Sequence, residues 1–87
     1  MRSTASSIEE LREALANCPQ PDAELEARYG AVCQNTWFQA MKEAGVWGYA
    51  NGKYWYDEAK TENDSQIWLI VREIWRDRLA QTLIGTL

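Results

Sequence analysis

The stretch 46–56, VWGYANGKYWY, decides the fold of this 87-residue chain. The side chains on both sides of Asn51-Gly52 follow an alternating pattern, which is typical of two β-strands joined by a tight turn. Asn-Gly favours a two-residue type I′ turn because both turn residues need a positive φ. We therefore predict a β-hairpin over residues 46–56.

A two-residue turn also fixes which residues pair across the hairpin. In the resulting register two aromatic pairs share one face, and Trp55 covers the bare Gly48 on the other. A slip by one residue would mix the two faces. The predicted pairs are Ala50 with Lys53, Tyr49 with Tyr54, Gly48 with Trp55, and Trp47 with Tyr56.

Two helices are predicted near the N-terminus. Ser7-Ile8-Glu9-Glu10 has the capping-box pattern, so a first helix is expected to begin there and to stop at Asn17-Cys18-Pro19. Asp22 is the expected N-cap of a second helix over 23–29, which Gly30 ends.

A third helix is predicted to begin near Asn35 or Thr36, where Thr36 and Gln39 offer another capping box, and to run to residue 43 or 44. Gly45 ends it. The expected inward face comprises Trp37, Ala40, Met41 and Ala44.

The last helix is predicted from Asp64 to about Ile84, with Asn63 and Gln66 as its cap. Its apolar stripe covers about half of the circumference, wider than the roughly 100° of a surface helix. Such a helix is buried on two sides or self-associates, and Arg78 within the stripe is expected to reach a carboxylate, a partner or the surface. The predicted dimerisation residues are Ile67, Trp68, Ile70, Val71, Ile74, Trp75 and Leu79.

Three helices followed by a hairpin is the order of a winged helix. The expected fold class is therefore mainly α with a β-hairpin. Residues 1–62 are predicted to form a winged helix-turn-helix domain of three helices and a two-stranded wing. Residues 63–87 are predicted to form a C-terminal helix that packs on this domain or forms a dimer.

The helix-turn-helix segment also resembles a known family. Residues 24–30 (ELEARYG), 31–36 (AVCQNT) and 37–45 (WFQAMKEAG) are similar to the winged helix-turn-helix of the GntR-type regulators. The likeness lies in the glycine that ends helix two, the Asn-Thr start of helix three and the Ala-hydrophobic pair within it. The turn has one extra residue, and the Arg-rich helix start of that family is missing. Small phage and plasmid proteins of the excisionase and partition type are also similar, and both resemblances imply a DNA-binding regulator.

In a winged helix the third helix enters the major groove and the hairpin tip touches the flanking backbone. Gln and Asn pair with adenine, Thr and Phe contact the thymine methyl group, and Lys meets phosphate or guanine. Helix 34–44 is therefore predicted to read double-stranded DNA, with the 46–56 hairpin as the wing. The predicted contacts are Gln34, Asn35, Thr36, Phe38, Gln39 and Lys42 on the helix, and Asn51, Gly52 and Lys53 at the tip.

The net charge of −4 is unusual for a DNA-binding protein. Residues 1–33 carry three Arg and six acids, and residues 57–66 carry one Lys and four acids, whereas 34–56 carry two Lys and one acid. The acidity thus lies mainly outside the predicted DNA contact. An alternative function is an acidic protein-interaction module, or phage-type inhibitor, that occupies a basic site on a nucleic-acid-handling protein. Its residues would be Glu9, Glu13, Glu24, Glu26 and the segment 57–64.

Other function classes lack their characteristic residues. The chain has no His, and Cys18 and Cys33 lack metal-ligand spacing, so we expect two half-buried thiols, no metal, no cofactor and no enzymatic activity. The longest apolar run, 67–71, is too short to span a bilayer. The sequence thus predicts a cytoplasmic homodimer that binds double-stranded DNA and has no membrane partner.

Overall fold

The fold combines helices with an antiparallel sheet. The computed structural model describes residues 2–61 and 66–85, which form four helices and three strands. In chain order these are β1 (Arg2–Ala5), α1 (Ile8–Ala14), α2 (Ala23–Tyr29), α3 (Ala31–Glu43), β2 (Trp47–Ala50), β3 (Lys53–Asp57) and α4 (Ile67–Gly85). The sequence-based expectation of helices followed by a hairpin is confirmed at this level.

The hairpin has the predicted register at every position. Trp47 pairs with Tyr56, Gly48 with Trp55, Tyr49 with Tyr54, and Ala50 with Lys53. Asn51 and Gly52 have φ values of 54° and 77°, as the type I′ turn requires. A Cβ on Gly48 would lie 2.5 Å from the Trp55 ring, so the predicted covering of this glycine is also confirmed.

The sheet has a third strand that the sequence analysis missed. Strand β1 pairs antiparallel with β3, from Arg2 opposite Asp57 to Ala5 opposite Tyr54, and the strand order is β1-β3-β2. The prediction of a two-stranded sheet is therefore wrong. In β1 only Ala5 is buried, and the Arg2 guanidinium lies 4.0 Å from the centre of the Trp55 ring. The four residues of β1 are mostly polar, so they show no alternating apolar pattern from which a strand could be predicted. The aromatic residues that cover this pair of strands belong to β3.

The first two helices begin where their capping residues predict. The Ser7 hydroxyl accepts a hydrogen bond from the Glu10 amide at 3.2 Å, and the Asp22 carboxylate accepts one from the Glu24 amide at 2.9 Å. The Glu10 carboxylate reaches back to the amide and hydroxyl of Ser6, one residue earlier than in the expected capping box. Both N-caps are confirmed.

Helix α3 begins four residues earlier than the expected start at Asn35. Gly30, with a φ of 59°, ends α2 and directly precedes the first residue of α3. Thr36 consequently lies inside the helix, where its hydroxyl donates to the Val32 carbonyl at 2.6 Å. A threonine can satisfy its hydroxyl within its own helix as readily as it caps one, and a single glycine was enough for the turn. The predicted capping box at Thr36 is therefore wrong.

Helix α4 packs against α3 within the same chain. Trp37 of α3 stacks on Trp68 with ring centres 6.1 Å apart and meets Trp75 edge-on at 5.5 Å. These rings belong to the hydrophobic core that α1 and the sheet also share. The structure thus shows packing on its own chain, one of the two arrangements predicted for this helix.

This packing buries most of the predicted dimerisation stripe. Four of its members lie in the core of their own chain, and two others are partly buried against that core. Only one predicted member is substantially exposed. The buried residues are Trp68, Val71, Trp75 and Leu79; the partly buried ones are Ile67 and Ile74; Ile70 is 49% exposed. The predicted helix start and its Asn63 cap lie outside the described residues.

Arg78 joins α4 to α3 on the surface. Its Nε and Nη2 atoms donate to the two carboxylate oxygens of Glu43, with a distance of 2.5 Å between Nη2 and Oε1. The expectation that Arg78 reaches a carboxylate is confirmed. These hydrogen bonds hold the pKa of the Glu43 carboxyl below its ordinary value of 4.5.

The two thiols are internal. Cys18 and Cys33 are free and buried, and burial raises the pKa of Cys18 to about 11.

Among the helices of residues 2–61 and 66–85, none is long and apolar enough to cross a lipid bilayer.

Gly48→Ala tests the covering of Gly48 by Trp55. The new methyl group would overlap a rigid ring, so we expect the free energy of unfolding to fall by about 1–3 kcal/mol. Urea denaturation measures this loss. Gly85→Ala is the control, since a Cβ there meets no atom within 4 Å and should cause no loss. Equal stability of Gly48→Ala and the wild type would contradict the contact.

Glu43→Gln tests the surface bridge between α3 and α4. Because the pKa of Glu43 is lowered in the folded state, the bridge stabilises the fold above pH 4.5 and is lost as the pH falls through the folded-state pKa. The variant should therefore melt below the wild type at neutral pH, by a small margin because both side chains are solvent-exposed. Thermal melts at a series of pH values should show this margin closing in acid. Glu13→Gln, which removes an exposed carboxylate outside any described ion pair, should show no such margin.

Candidate nucleic-acid interface

Helix α3 carries a row of exposed polar side chains. Asn35, Gln39 and Lys42 follow one another at helical spacing and lie on one face, which we call the α3 stripe. Within residues 2–61 and 66–85, the side chains of Asn35 and Gln39 make no hydrogen bond, and Lys42 forms no ion pair. The three side chains are therefore available to a partner.

Three other residues predicted on this face are positioned differently. Thr36 and Phe38 are only 8% and 7% exposed, so the prediction that they contact thymine methyl groups is corrected. Phe38 instead stacks on Trp47 with ring centres 4.3 Å apart. Gln34 is partly buried and donates to the Glu26 carboxylate of α2 at 2.6 Å. Because α3 is held on several sides, its free surface is narrower than the sequence pattern predicted.

Two cations flank the stacked rings beside the α3 stripe. The Arg12 guanidinium of α1 lies 4.6 Å from the centre of the Phe38 ring, and Lys42 Nζ lies 5.4 Å from the centre of the Trp47 ring. Arg12 forms no ion pair with any described residue. The sequence did not predict Arg12, because its position depends on how α1 packs on the sheet strands β1 and β3. No local pattern in α1 marks it.

Trp47 fixes the hairpin to α3. Its Nε1 donates a buried hydrogen bond to the Phe38 carbonyl at 2.9 Å. The Val46 amide, directly before β2, donates to the Met41 carbonyl near the end of α3 at 2.9 Å. These two bonds and the ring stack set the angle between the hairpin and the α3 stripe.

The far end of the hairpin is exposed. The predicted tip residues Asn51, Gly52 and Lys53 all lie on the surface. Behind the tip, Tyr49 is 56% exposed and meets Tyr54 edge-on with ring centres 4.8 Å apart. Both tyrosines share the hairpin face of Trp47, so they extend the surface that begins at the α3 stripe.

Two carboxylates beside α3 are already engaged. Glu43 is held by Arg78, and Glu26 accepts the hydrogen bond from Gln34. Arg12, Lys42 and Lys53 are the cations around the stripe and hairpin tip, and none has a carboxylate partner among the described residues. This part of the surface therefore offers three cations without a described ion pair, although the whole chain carries −4.

In the part of the chain that the structure describes, no three His, Cys, Asp or Glu side chains lie close enough together to hold a metal ion.

Comparison with family models, curated proteins and solved structures gives no match to this chain. The function must therefore be argued from the surface itself.

Trp47→Phe tests how the hairpin is held. The variant loses the Nε1 hydrogen bond and leaves a small gap in the core, so we expect the free energy of unfolding to fall by about 1–3 kcal/mol. Denaturant titration measures the change. Tyr49→Phe, which alters an exposed ring on the same face, should stay within about 0.5 kcal/mol of the wild type. Similar losses in both variants would contradict the anchoring role of Trp47.

Proposed function

We propose that this protein binds double-stranded DNA as a small regulator of the winged helix-turn-helix kind, with the α3 stripe in the major groove and the β2–β3 hairpin as a wing. The observation that carries the proposal is the set of uncommitted side chains on α3, beside a hairpin attached rigidly to the same helix. Such a regulator acts in the cytoplasm and needs neither a cofactor nor catalysis.

The chemistry of the α3 stripe suits base edges. The side-chain amides of Asn35 and Gln39 can each donate to N7 and accept from N6 of adenine, and Lys42 can reach guanine or a phosphate. From Asn35 to Lys42 the stripe covers seven residue steps, about 10 Å along the helix axis. This length matches about three base-pair steps of 3.4 Å. A three- or four-base-pair recognition element fits these dimensions.

The cations beside the α3 stripe suit the DNA backbone. Arg12 on α1 and Lys53 at the hairpin tip flank the stripe from two different elements, so they can contact phosphates on both sides of the groove. Together with Lys42 they would neutralise about three phosphates. The logarithm of the binding constant should then fall with the logarithm of salt concentration with a slope of about −3. This modest slope accords with a small contact on an acidic protein.

The acidic side chains favour a second candidate function. Glu9, Glu13 and Glu24 are exposed on α1 and α2 and form no ion pair within the described part of the chain. This surface suits a basic site on a nucleic-acid-handling protein. Three other acids proposed for this role are engaged within the chain: Glu26 with Gln34, Asp57 with Lys60 and Glu58 with Ser3. The acids at 62 and 64 lie outside the described residues. The two functions predict opposite results when the protein is mixed with duplex DNA and no other protein: the first predicts binding, the second none.

Titration with mixed-sequence duplex DNA, followed by selection of a preferred sequence, tests the leading proposal. Lys42→Ala should weaken binding to all sequences and make the salt slope shallower by about 0.9. Gln39→Ala should cost about 1–3 kcal/mol on the selected sequence and relax the preference at one position. Fluorescence anisotropy at low and moderate salt measures both effects.

Matched control variants remove the same groups from α4. Arg72→Ala deletes one exposed cation and Gln81→Ala one exposed amide, both outside the proposed contact. Neither should change the salt slope or the base preference. Absence of binding by the wild type at low salt contradicts DNA binding and favours the acidic interaction surface. Equal losses in the α3 and α4 variants contradict the proposed site.

A further inference from the structure

A second uncommitted surface lies on α4, turned away from the core. Leu69, Glu73, Arg76 and Ala80 are separated by four, three and four residues, the spacing of the contact positions of a coiled coil, and all four are exposed. We call this set the α4 row. Leu69 is 68% exposed, although burial of a large apolar side chain is favourable. The row thus combines an apolar residue at its start with two opposite charges at its centre.

Among residues 2–61 and 66–85, neither central charge of the α4 row has an ion-pair partner. Glu73 and Arg76 are three residues apart, close enough for a bridge on a helix, yet no ion pair joins them or links either to another described residue. The row therefore offers one free negative and one free positive group along the same line.

We propose that the α4 row binds the α4 row of a second copy of this chain in antiparallel orientation. In the register that aligns the contact positions, Glu73 of each copy faces Arg76 of the other, which gives two reciprocal ion pairs at the centre. Leu69 of each copy then faces Ala80 of the other at the two ends. The same patch complements itself under a two-fold axis, as a symmetric dimer requires.

The charges also exclude the parallel arrangement. Parallel helices in register place each contact position against itself, so Glu73 would face Glu73 and Arg76 would face Arg76. Like charges in contact are destabilising. The α4 row is therefore complementary to a second α4 row only when the two helices are antiparallel.

This dimer differs from the one that the sequence predicted, and it changes what a dimer can do. Trp37 of α3 faces α4, whereas the α3 stripe lies on the opposite side of α3. The α4 row likewise faces away from α3. Two copies joined through α4 therefore carry their α3 stripes on outer sides, directed away from each other. If the stripes bind DNA as proposed above, the dimer holds two separate duplex segments instead of two neighbouring half-sites.

Charge reversal tests the dimer in the absence of DNA, so the result does not depend on the proposed function. Sedimentation equilibrium over a concentration series should show a monomer–dimer equilibrium for the wild type. Glu73→Arg and Arg76→Glu should each weaken the dimer at least about tenfold, because each places like charges face to face. Circular dichroism should show that both variants keep the wild-type fold, since the positions are exposed.

Two combinations of these substitutions restore the opposite-charge contacts and so test the antiparallel register specifically. The double variant Glu73→Arg/Arg76→Glu regains both opposite-charge contacts and should dimerise like the wild type. An equimolar mixture of the two single variants should form a heterodimer although each alone is weakened. A monomeric wild type at all concentrations, or single variants that dimerise as the wild type does, would overturn the proposal. A failure of DNA binding with these results intact would overturn only the proposed function.

Discussion

The buried contact between Trp47 and Phe38 joins the two halves of this small fold. Their rings stack, and the indole nitrogen donates to the helix carbonyl of the residue it stacks on. Next to Phe38 on α3, Trp37 turns its ring toward α4 and meets two further tryptophans. Two consecutive residues of one helix therefore hold the sheet on one side and the last helix on another. A chain of this size can bury little surface. Its large aromatic rings therefore supply much of the buried apolar area that a larger core would provide.

This arrangement explains which side of α3 is free. With the sheet, α4 and α2 each occupying part of its circumference, the exposed part of α3 is mainly the strip at Asn35, Gln39 and Lys42, with Ala31 and Glu43 exposed near the two ends of the helix. The strip contains amides and an ammonium group, and it borders a guanidinium supplied by α1. An acidic protein thus presents a surface of hydrogen-bonding and cationic groups. Its net charge is a poor guide to the partner of this one face.

The parts of the fold that the sequence predicted are those whose causes are local. Asn51-Gly52 and the pairing of Gly48 with Trp55 depend on residues a few positions apart, as do the N-caps Ser7 and Asp22. Strand β1 escaped prediction because its partner strand is about fifty residues away in the sequence. The start of α3 was predicted wrongly because the Thr36 hydroxyl can either cap a helix or form a hydrogen bond within it. The apolar stripe of α4 was compatible with either a neighbouring helix or a second molecule, and only tertiary packing distinguishes them. For the site, periodicity predicted Asn35, Gln39 and Lys42, but Arg12 required knowledge of how α1 docks.

The position of β1 in the sheet has a consequence for how the chain folds. The β2–β3 hairpin closes a two-residue loop and can form within microseconds, whereas β1 must find β3 across almost the whole domain. Strand β1 precedes its partner strand β3 by three intervening helices in the chain, so it is synthesised before β3. Strand β1 therefore has no sheet partner until β3 has been made, and its docking on β3 closes the longest loop in the sheet. A protein built this way begins its sheet with its last strands and completes it with its first.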